Sequence, residues 1–336
     1  MKNSTIRFLG SFNLFITGLF FTFHVSALSA QIDQEQWNQQ QGIFTIYNEQ
    51  ALNIINTKAE LKILATGFEW IEGPVWVEEG NYLLFSDIPA NKVYRFDHEH
   101  GLRTYLVNSG FSNGLRLNQQ HELYLMQSRS RAVSKMNSSL TKPTDSYQVL
   151  ASHYLGKKLN SPNDSALHSN GSLFFTDPPY GLPKQLQDPA KELDFQGVYR
   201  LSTNGDLALI DKTLTYPNGI ALSPDDKWLY VAVSDETNPA WYRYTLNTDG
   251  NVISKALFYK PQINGKEEIG APDGLKVHSS GWVFATGPGG VWIFDENRTL
   301  LARINMPGFT ANLAFDSTEK TIYFTADNEL RSLALK

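Results

Sequence analysis

The chain has 336 residues, 24 glycines, 15 prolines and no cysteine, with a formal net charge of −5 at pH 7. A hydrophobic content of 41% with 19% charged residues is typical of a folded globular protein and excludes a disordered chain. The lack of cysteine excludes disulfides, thiolate metal sites and cysteine nucleophiles. The acidic balance lacks the basic character of nucleic-acid-binding proteins, so no nucleic-acid partner is expected.

The first thirty residues have the pattern of an export signal. Lys2 and Arg7 precede an apolar run that ends near Val25, and small residues follow this run. A basic start, an apolar centre and a small-residue cleavage zone are the three parts of a secretory signal peptide. We therefore predict a signal peptide over residues 1–30, with cleavage near 27–30, and a periplasmic or secreted mature protein.

The rest of the chain divides into an N-terminal extension over residues 31–58 and one domain over residues 59–336.

Asn13 and His24 interrupt the apolar run of the predicted signal peptide, which makes this run a poor permanent membrane span. No stable membrane span is thus expected after cleavage. An uncleaved N-terminal anchor is the alternative interpretation.

Six short, apolar, β-prone runs recur through the domain, each after a polar turn. The steps between equivalent positions are 39 to 56 residues. Repeats of this length with several strands each predict an all-β fold, a six-bladed β-propeller with a central channel. The alternative fold is a pair of β-sandwiches in which the spacing is a coincidence. In the propeller, a strand near residues 59–66 is expected to join the last blade and close the ring of blades. The runs are Tyr82–Asp87, Glu122–Gln127, Ser172–Asp177, Trp228–Val233, Trp282–Gly287 and Thr321–Ala326.

One carboxylate or carboxamide stands 11 or 12 residues before the centre of each run. Equivalent positions of a propeller lie on a ring around its axis, so these side chains are expected to converge on one mouth of the channel. The competing interpretation is that Asn and Asp are turn residues, followed by Gly because the turn needs a positive φ. The fixed offset in all six repeats favours the ring. Its members are Glu72, Asn113, Asn163, Asn218, Asp273 and Asn312.

The chemistry of these side chains indicates a class of ion. Buried carboxylates that converge need a compensating cation. Oxygen donors without His or Cys suit hard divalent cations. We therefore predict one divalent cation in the central channel. Calcium is the expected ion, with magnesium, manganese or zinc as alternatives.

At these positions the sequence resembles the gluconolactonase / senescence-marker-protein / luciferin-regenerating-enzyme family of six-bladed propellers. The resemblance runs from about Gly67 to Leu335. It implies a divalent-metal-dependent lactonase that opens sugar lactones, with metal ligands at Glu72, Asn163, Asn218 and Asp273. The matching motifs are Glu72-Gly-Pro-Val-Trp76, Phe85-Ser-Asp-Ile-Pro89, Ser161-Pro-Asn-Asp164, Phe175-Thr-Asp-Pro-Pro-Tyr-Gly-Leu182, Tyr216-Pro-Asn-Gly219, Ala271-Pro-Asp-Gly274 and Ala285-Thr-Gly-Pro-Gly-Gly-Val-Trp-Ile-Phe294.

The expected reaction is hydrolysis of a small-molecule sugar lactone, with the metal polarising the carbonyl and a carboxylate base activating water. Asp273 is the expected catalytic base as well as a ligand, and Glu72 is the electrostatic anchor. Asn113 and Tyr180 are the expected substrate-binding residues. Bacterial relatives usually carry a Glu-His-Gly-like segment where this chain reads Leu125-Met-Gln-Ser-Arg-Ser-Arg131, so the substrate contacts of this blade are expected to differ.

Two other functions fit the same pattern. One is an organophosphatase-type hydrolase that uses the same metal site, and the other is a non-catalytic propeller that binds a sugar acid or a partner. Ser112 lies in a G-x-S-x-G pattern, but this motif needs a strand, a turn and a helix, whereas a strand is predicted to follow here. No serine nucleophile is therefore expected. The sequence as a whole does not predict an oligomeric state.

Overall fold

Short antiparallel strands make up most of residues 39–262 and 268–336, which are the residues described by the computed structural model. The predicted signal peptide lies outside the described residues. The N-terminal part of the description contains β1 (Gln39–Gln41), β2 (Phe44–Ile46), a 3-10 helix (Glu49–Asn53) and β3 (Lys62–Thr66).

Six antiparallel sheets follow one another along the chain, which confirms the predicted six-bladed β-propeller. Blade one contains β4 (Ile71–Val77), β5 (Tyr82–Asp87), β6 (Lys92–Asp97) and β7 (Gly101–Val107). Blade two contains β8 (Ser112–Leu117), β9 (Leu123–Gln127), β10 (Ala132–Met136) and β11 (Tyr147–Ala151). A small hairpin of β12 (His153–Tyr154) and β13 (Lys157–Lys158) leads into blade three, which contains β14 (Ser165–Leu167), β15 (Leu173–Asp177), β16 (Gly197–Leu201) and β17 (Leu207–Asp211).

The second half of the ring repeats this pattern. Blade four contains β18 (Pro217–Leu222), β19 (Trp228–Val233), β20 (Ala240–Leu246) and β21 (Val252–Tyr259). Blade five contains β22 (Leu275–Val277), β23 (Val283–Gly287), β24 (Gly290–Phe294) and β25 (Leu300–Asn305). Blade six contains β26 (Asn312–Phe315), β27 (Thr321–Ala326) and β28 (Glu329–Ala334). A 3-10 helix (Gln185–Gln187) lies in the long loop of blade three. No helix of the described residues is long and apolar enough to cross a membrane.

The first strand of each blade contacts the first strands of the two neighbouring blades, so the six first strands form the inner ring. The six predicted apolar runs are the second strands, within one residue of their expected bounds. These strands are largely buried because both faces of a blade are covered, and most of their residues are apolar. In β15, Phe175 packs toward blade two and Phe174 packs toward blade four.

Strand β3 closes the ring from the N-terminal side. It pairs antiparallel with β28, with Ala65 opposite Leu330, and so becomes the outer strand of blade six. This confirms the predicted role of residues 59–66. Joining strands from both ends of the domain in one sheet leaves fewer unpaired sheet edges.

The described part of the N-terminal extension adds two strands to blade five. Strand β2 pairs with β25, placing Phe44 opposite Ile304, and β1 pairs with β2. Phe44 and Ile46 have no solvent exposure and belong to the apolar cluster shared by blades five and six. Residues 39–46 therefore pack as part of the propeller.

Truncation of Phe44 tests this packing. We expect Phe44→Ala to lower the free energy of unfolding by about 3 to 5 kcal/mol, because it removes a fully buried ring and leaves a cavity. Ile63, which is 54% exposed, supplies the control Ile63→Ala, with an expected change within about 0.5 kcal/mol. Urea titrations followed by tryptophan fluorescence measure both. Equal stability of the two variants would contradict the packing role of the N-terminal strands.

Candidate active site and metal centre

One end of the central channel opens into a cavity of about 600 Å³. The first strands bring their starting residues to this end, because each ring position lies at or just before the first residues of an inner strand. The cavity contains every residue that the sequence predicts for the site. These residues are Glu72, Asn113, Asn163, Tyr180, Asn218 and Asp273.

The sixth ring position, Asn312, has a different place. Its side chain is buried and does not line the cavity. The amide nitrogen of Asn312 donates to Glu72 Oε2 at 3.1 Å, while its Oδ1 accepts a hydrogen bond from Lys276 Nζ at 3.0 Å. Asn312 therefore supports Glu72 from behind, and the expectation of six oxygens at one mouth holds for five positions.

Glycine after the ring residues allows neighbouring inner strands to approach closely. A Cβ at Gly73 would lie 2.1 Å from Asn113 O, and one at Gly219 would lie 2.2 Å from Asp273 O. A Cβ at Gly114 would lie 2.7 Å from Asn163 O, and one at Gly274 would lie 2.1 Å from Cγ of the Asn312 side chain. Of these four glycines only Gly73 has a positive φ, of 56°. Close approach of backbones, more than turn geometry, is the reason for glycine here.

Hydrogen bonds fix the orientation of Asn218. Its Nδ2 donates to Ser234 Oγ at 2.9 Å, and the Ser234 hydroxyl donates to Pro272 O at 2.5 Å. Asn218 lines the cavity, and these bonds do not involve its amide oxygen. It is buried without a hydrogen-bond partner, as are Asn113 Oδ1 and Asp273 Oδ1. Three buried and unpartnered oxygens in one cavity require an explanation, because such groups are normally satisfied.

Two buried carboxylates dominate the electrostatics of the cavity. Burial raises the pKa of Glu72 to about 7, and the nearby charge of Asp164 adds to this shift against the hydrogen bond from Gly73. Burial also raises the pKa of Asp273 well above its usual value, with a further increase from the charge of Glu72. Both groups would therefore ionise more readily beside a bound cation.

Charges of both signs lie beneath the ring. Lys276 Nζ lies 3.7 Å from Asp164 Oδ2, and Arg116 Nε donates to Ser165 O at 3.0 Å. Burial lowers the pKa values of Lys276 and Arg116. Both also line a second cavity of about 870 Å³, which the far ends of the inner strands surround. These residues therefore separate the candidate site from the opposite mouth.

Buried carboxylates at the ends of second strands position the loops that enter the ring. Asp87 accepts a hydrogen bond from Trp70 N at 3.2 Å, just before Glu72. In blade three, Asp177 accepts a hydrogen bond from Ser161 N at 2.7 Å. Asp87 and Asp177 each end the second strand of their blade. The same arrangement therefore positions the loop that leads to the ring residue in both blades.

The rim of the cavity is partly aromatic. Tyr180 comes from the long loop of blade three, and its ring stacks on Tyr216 with centroids 5.6 Å apart. Burial raises the pKa of Tyr180, so its hydroxyl stays protonated at neutral pH. Trp70 and Phe309 form a second aromatic pair at 5.1 Å. Of these four residues, the sequence predicted only Tyr180, because a stacking partner on another blade has no sequence signal.

Ser112 has no features of a catalytic serine. It lies within β8, has no solvent exposure, and its hydroxyl is 2.9 Å from Ser86 Oγ. The strand–turn–helix geometry of a nucleophile elbow is therefore missing at this position.

The donor set fits a hard divalent cation. In the described ranges, no group of three or more His, Cys, Asp or Glu side chains is placed to hold a metal. A cation in this cavity would thus depend on amide oxygens beside the two carboxylates. Amide and carboxylate oxygens are ligands that calcium accepts, and the unpartnered oxygens lie on the cavity that such an ion would occupy.

Comparison with known proteins places this architecture in a family. The sequence model of the protein family described as the SMP-30/gluconolactonase/LRE-like region matches residues 70–328. The chain belongs to the SMP-30/gluconolactonase/LRE-like family. This member is 33% identical over 306 residues to a gluconolactonase of Zymomonas mobilis, and the alignment covers 86% of this chain and 85% of that relative.

Solved structures agree with the assignment of this SMP-30/gluconolactonase/LRE-like protein. A gluconolactonase from Xanthomonas campestris has a TM-score of 0.76 at 29% identity, covering 87% of this chain and 94% of that chain. A calcium-binding regucalcin structure from Agrobacterium tumefaciens has a TM-score of 0.64 at 16% identity, covering 82% and 94%. At that identity the second likeness shows a shared fold alone.

The raised pKa of Glu72 predicts a pH dependence of stability in chelator. Between pH 4.5 and about 7 the unfolded state loses this proton more readily than the folded state. The free energy of unfolding should therefore fall as pH rises through this window, by about 2 to 3 kcal/mol. Glu72→Gln should reduce this slope, to which the raised pKa of Asp273 also contributes, whereas Glu60→Gln, at an exposed site, should leave it unchanged.

Urea unfolding in EDTA at several pH values measures this difference. Parallel pH profiles of the wild type and Glu72→Gln would show that the buried carboxyl is not the source of the slope.

Proposed function

We propose that this protein is a divalent-metal-dependent hydrolase of sugar lactones. The observation that carries the proposal is one cavity that holds two buried carboxylates and three unpartnered side-chain oxygens. The relatives named gluconolactonase, one of them 33% identical over most of the chain, support sugar lactone hydrolysis as the reaction.

Glu72, Asn163, Asn218 and Asp273 would hold the cation, with calcium as the proposed ion. Two carboxylates with two amides match the oxygen preference of calcium, and magnesium, manganese and zinc are the ions to compare. When bound, the ion supplies a Lewis acid for the lactone carbonyl and offsets the charge of the two carboxylates. Glu72 has one oxygen already bonded to Gly73 N and Asn312 Nδ2, so its role is to anchor.

Asp273 is the proposed base. Asp273 lines the cavity and its Oδ1 has no hydrogen-bond partner in the described residues, so we assign this oxygen to accept the proton from water. The water oxygen forms a bond to the lactone carbonyl carbon, the ring C–O bond breaks, and the ring oxygen takes up the proton as a hydroxyl. The product is the open hydroxy acid. Asn113 and Tyr180 would hydrogen-bond the sugar hydroxyls from the walls.

The cavity suits a single sugar ring. A volume of about 600 Å³ lies within the usual range of small-molecule sites. The aromatic pairs of Tyr180 with Tyr216 and Trp70 with Phe309 offer flat apolar surfaces, while the amides offer polar contacts.

Titration of acid release tests the function. We expect hydrolysis of glucono-δ-lactone above the spontaneous rate, loss of that activity in EDTA, and recovery with calcium. Asp273→Asn should lower kcat by at least about 100-fold because the base is lost. The matched control Asp249→Asn removes an exposed carboxylate and should change kcat by less than about threefold. Activity that survives EDTA unchanged, or full activity of Asp273→Asn, would contradict the mechanism.

We also propose export, with removal of residues 1–30 or close to it. The support is the sequence pattern around Lys2, Arg7 and the apolar run. Intact-mass measurement of the protein from its native host should give a chain that starts between residues 28 and 31. A mass corresponding to the full chain would contradict cleavage.

A further inference from the structure

Arg129 is the single cationic side chain among the residues that line the candidate cavity. It follows β9 in the tight turn to β10 and is exposed. Its guanidinium lies over the ring of Phe111, 4.6 Å from the centroid. None of the ion pairs of the described residues includes Arg129, so its charge is available at the mouth of the cavity.

The backbone that carries Arg129 is held firmly. Ser128 N donates to Phe111 O at 3.1 Å, and Phe111 N donates to Asn91 Oδ1 at 2.7 Å. Phe111 has a φ of 55°, which is uncommon for a residue with a bulky side chain. Arg131, two residues on, is buried and donates to Leu159 O at 2.6 Å. Hydrogen bonds thus hold the turn and the Phe111 backbone, and the exposed Arg129 side chain rests on the Phe111 ring.

The other charged residues of the cavity are all acidic. Glu72 and Asp273 belong to the proposed metal centre, whereas Asp235 and Glu236 lie on the connection between β19 and β20. Asp235 accepts hydrogen bonds from the amide and hydroxyl of Thr237, which keeps it in place as an anion. An acidic group of a substrate would be repelled by this rim and attracted to Arg129.

We infer that Arg129 is a specificity-determining residue that binds a carboxylate carried by the lactone substrate. This inference rests on the proposed function and narrows it to lactones of sugar diacids. A planar guanidinium donates two parallel hydrogen bonds to a carboxylate, and such charge-assisted bonds are stronger than neutral ones. With the acid group at Arg129, the lactone ring would lie in the cavity that Glu72 and Asp273 also line.

Two lactones that differ at one group test the inference. D-glucono-1,4-lactone and D-glucaro-1,4-lactone share the ring and its stereocentres, but carbon 6 is a neutral hydroxymethyl in the first and a carboxylate in the second. We expect the wild type to hydrolyse the glucarolactone with the higher kcat/KM. Arg129→Gln should lower that value by about tenfold to a hundredfold while changing the gluconolactone by less than threefold.

Two further variants sharpen the comparison. Arg129→Lys keeps the charge without the planar fork and should retain part of the preference. Lys142→Gln removes an equal charge at an exposed site outside the cavity and should leave the preference unchanged. The expected preference should also weaken at high salt, since the Arg129 side chain is exposed.

The outcomes separate this inference from the proposed function. Equal kcat/KM values for the two lactones in the wild type, or a preference that persists in Arg129→Gln, would overturn the role of Arg129 and leave lactone hydrolysis standing. If the wild type hydrolyses neither lactone, the proposed function fails. In that case the role of Arg129 is tested by binding, with calorimetric titration of the same two lactones. Tighter binding of the glucarolactone by the wild type than by Arg129→Gln would support the role, and equal binding would overturn it.

Discussion

Burial of two carboxylates at the same end of one channel is the constraint on which the rest of this structure depends. Glu72 and Asp273 are both shielded from water, which raises both pKa values, and the charge of Glu72 raises the pKa of Asp273 further. Isolated buried charges are strongly unfavourable unless they are paired or coordinate a metal. The nearest cationic groups lie below the ring, with Lys276 reaching Glu72 only through Asn312. Both groups therefore favour the protonated form, and the cation that we propose in the cavity would favour their ionised form.

The propeller distributes the ring residues over its blades. Each ring residue sits at the start of an inner strand, so no single blade carries more than one member. Glycines such as Gly73 and Gly219 let neighbouring strands approach to distances that a Cβ would prevent. Strand-end aspartates such as Asp177 hold the loops in place. The packed blades thus hold the ring residues in place, and the exposed rim is where we propose that the substrate is selected.

The sequence predicted the fold well because a propeller repeats its own pattern. Six apolar runs located the second strands, and a fixed offset located the ring. What it missed depends on contacts between distant segments. The polar run Gln39–Gln41 has no apolar alternation to mark it as a strand, yet it pairs with β2. Asn312 occupies a ring position, but only the three-dimensional structure shows that Lys276 and Glu72 orient its amide. No sequence pattern marks Arg129 as a site residue, and only the structure shows that it lines the cavity.

The central claim is that oxygens from four blades converge on one divalent ion. Anomalous diffraction from crystals soaked in manganese measures this directly, because manganese accepts the same oxygen ligands and scatters anomalously. The account predicts one peak, with side-chain oxygens of Glu72, Asn163, Asn218 and Asp273 within about 2.6 Å of it, the upper limit of calcium–oxygen distances. A cavity without a peak, or a peak bound by other residues, would contradict it.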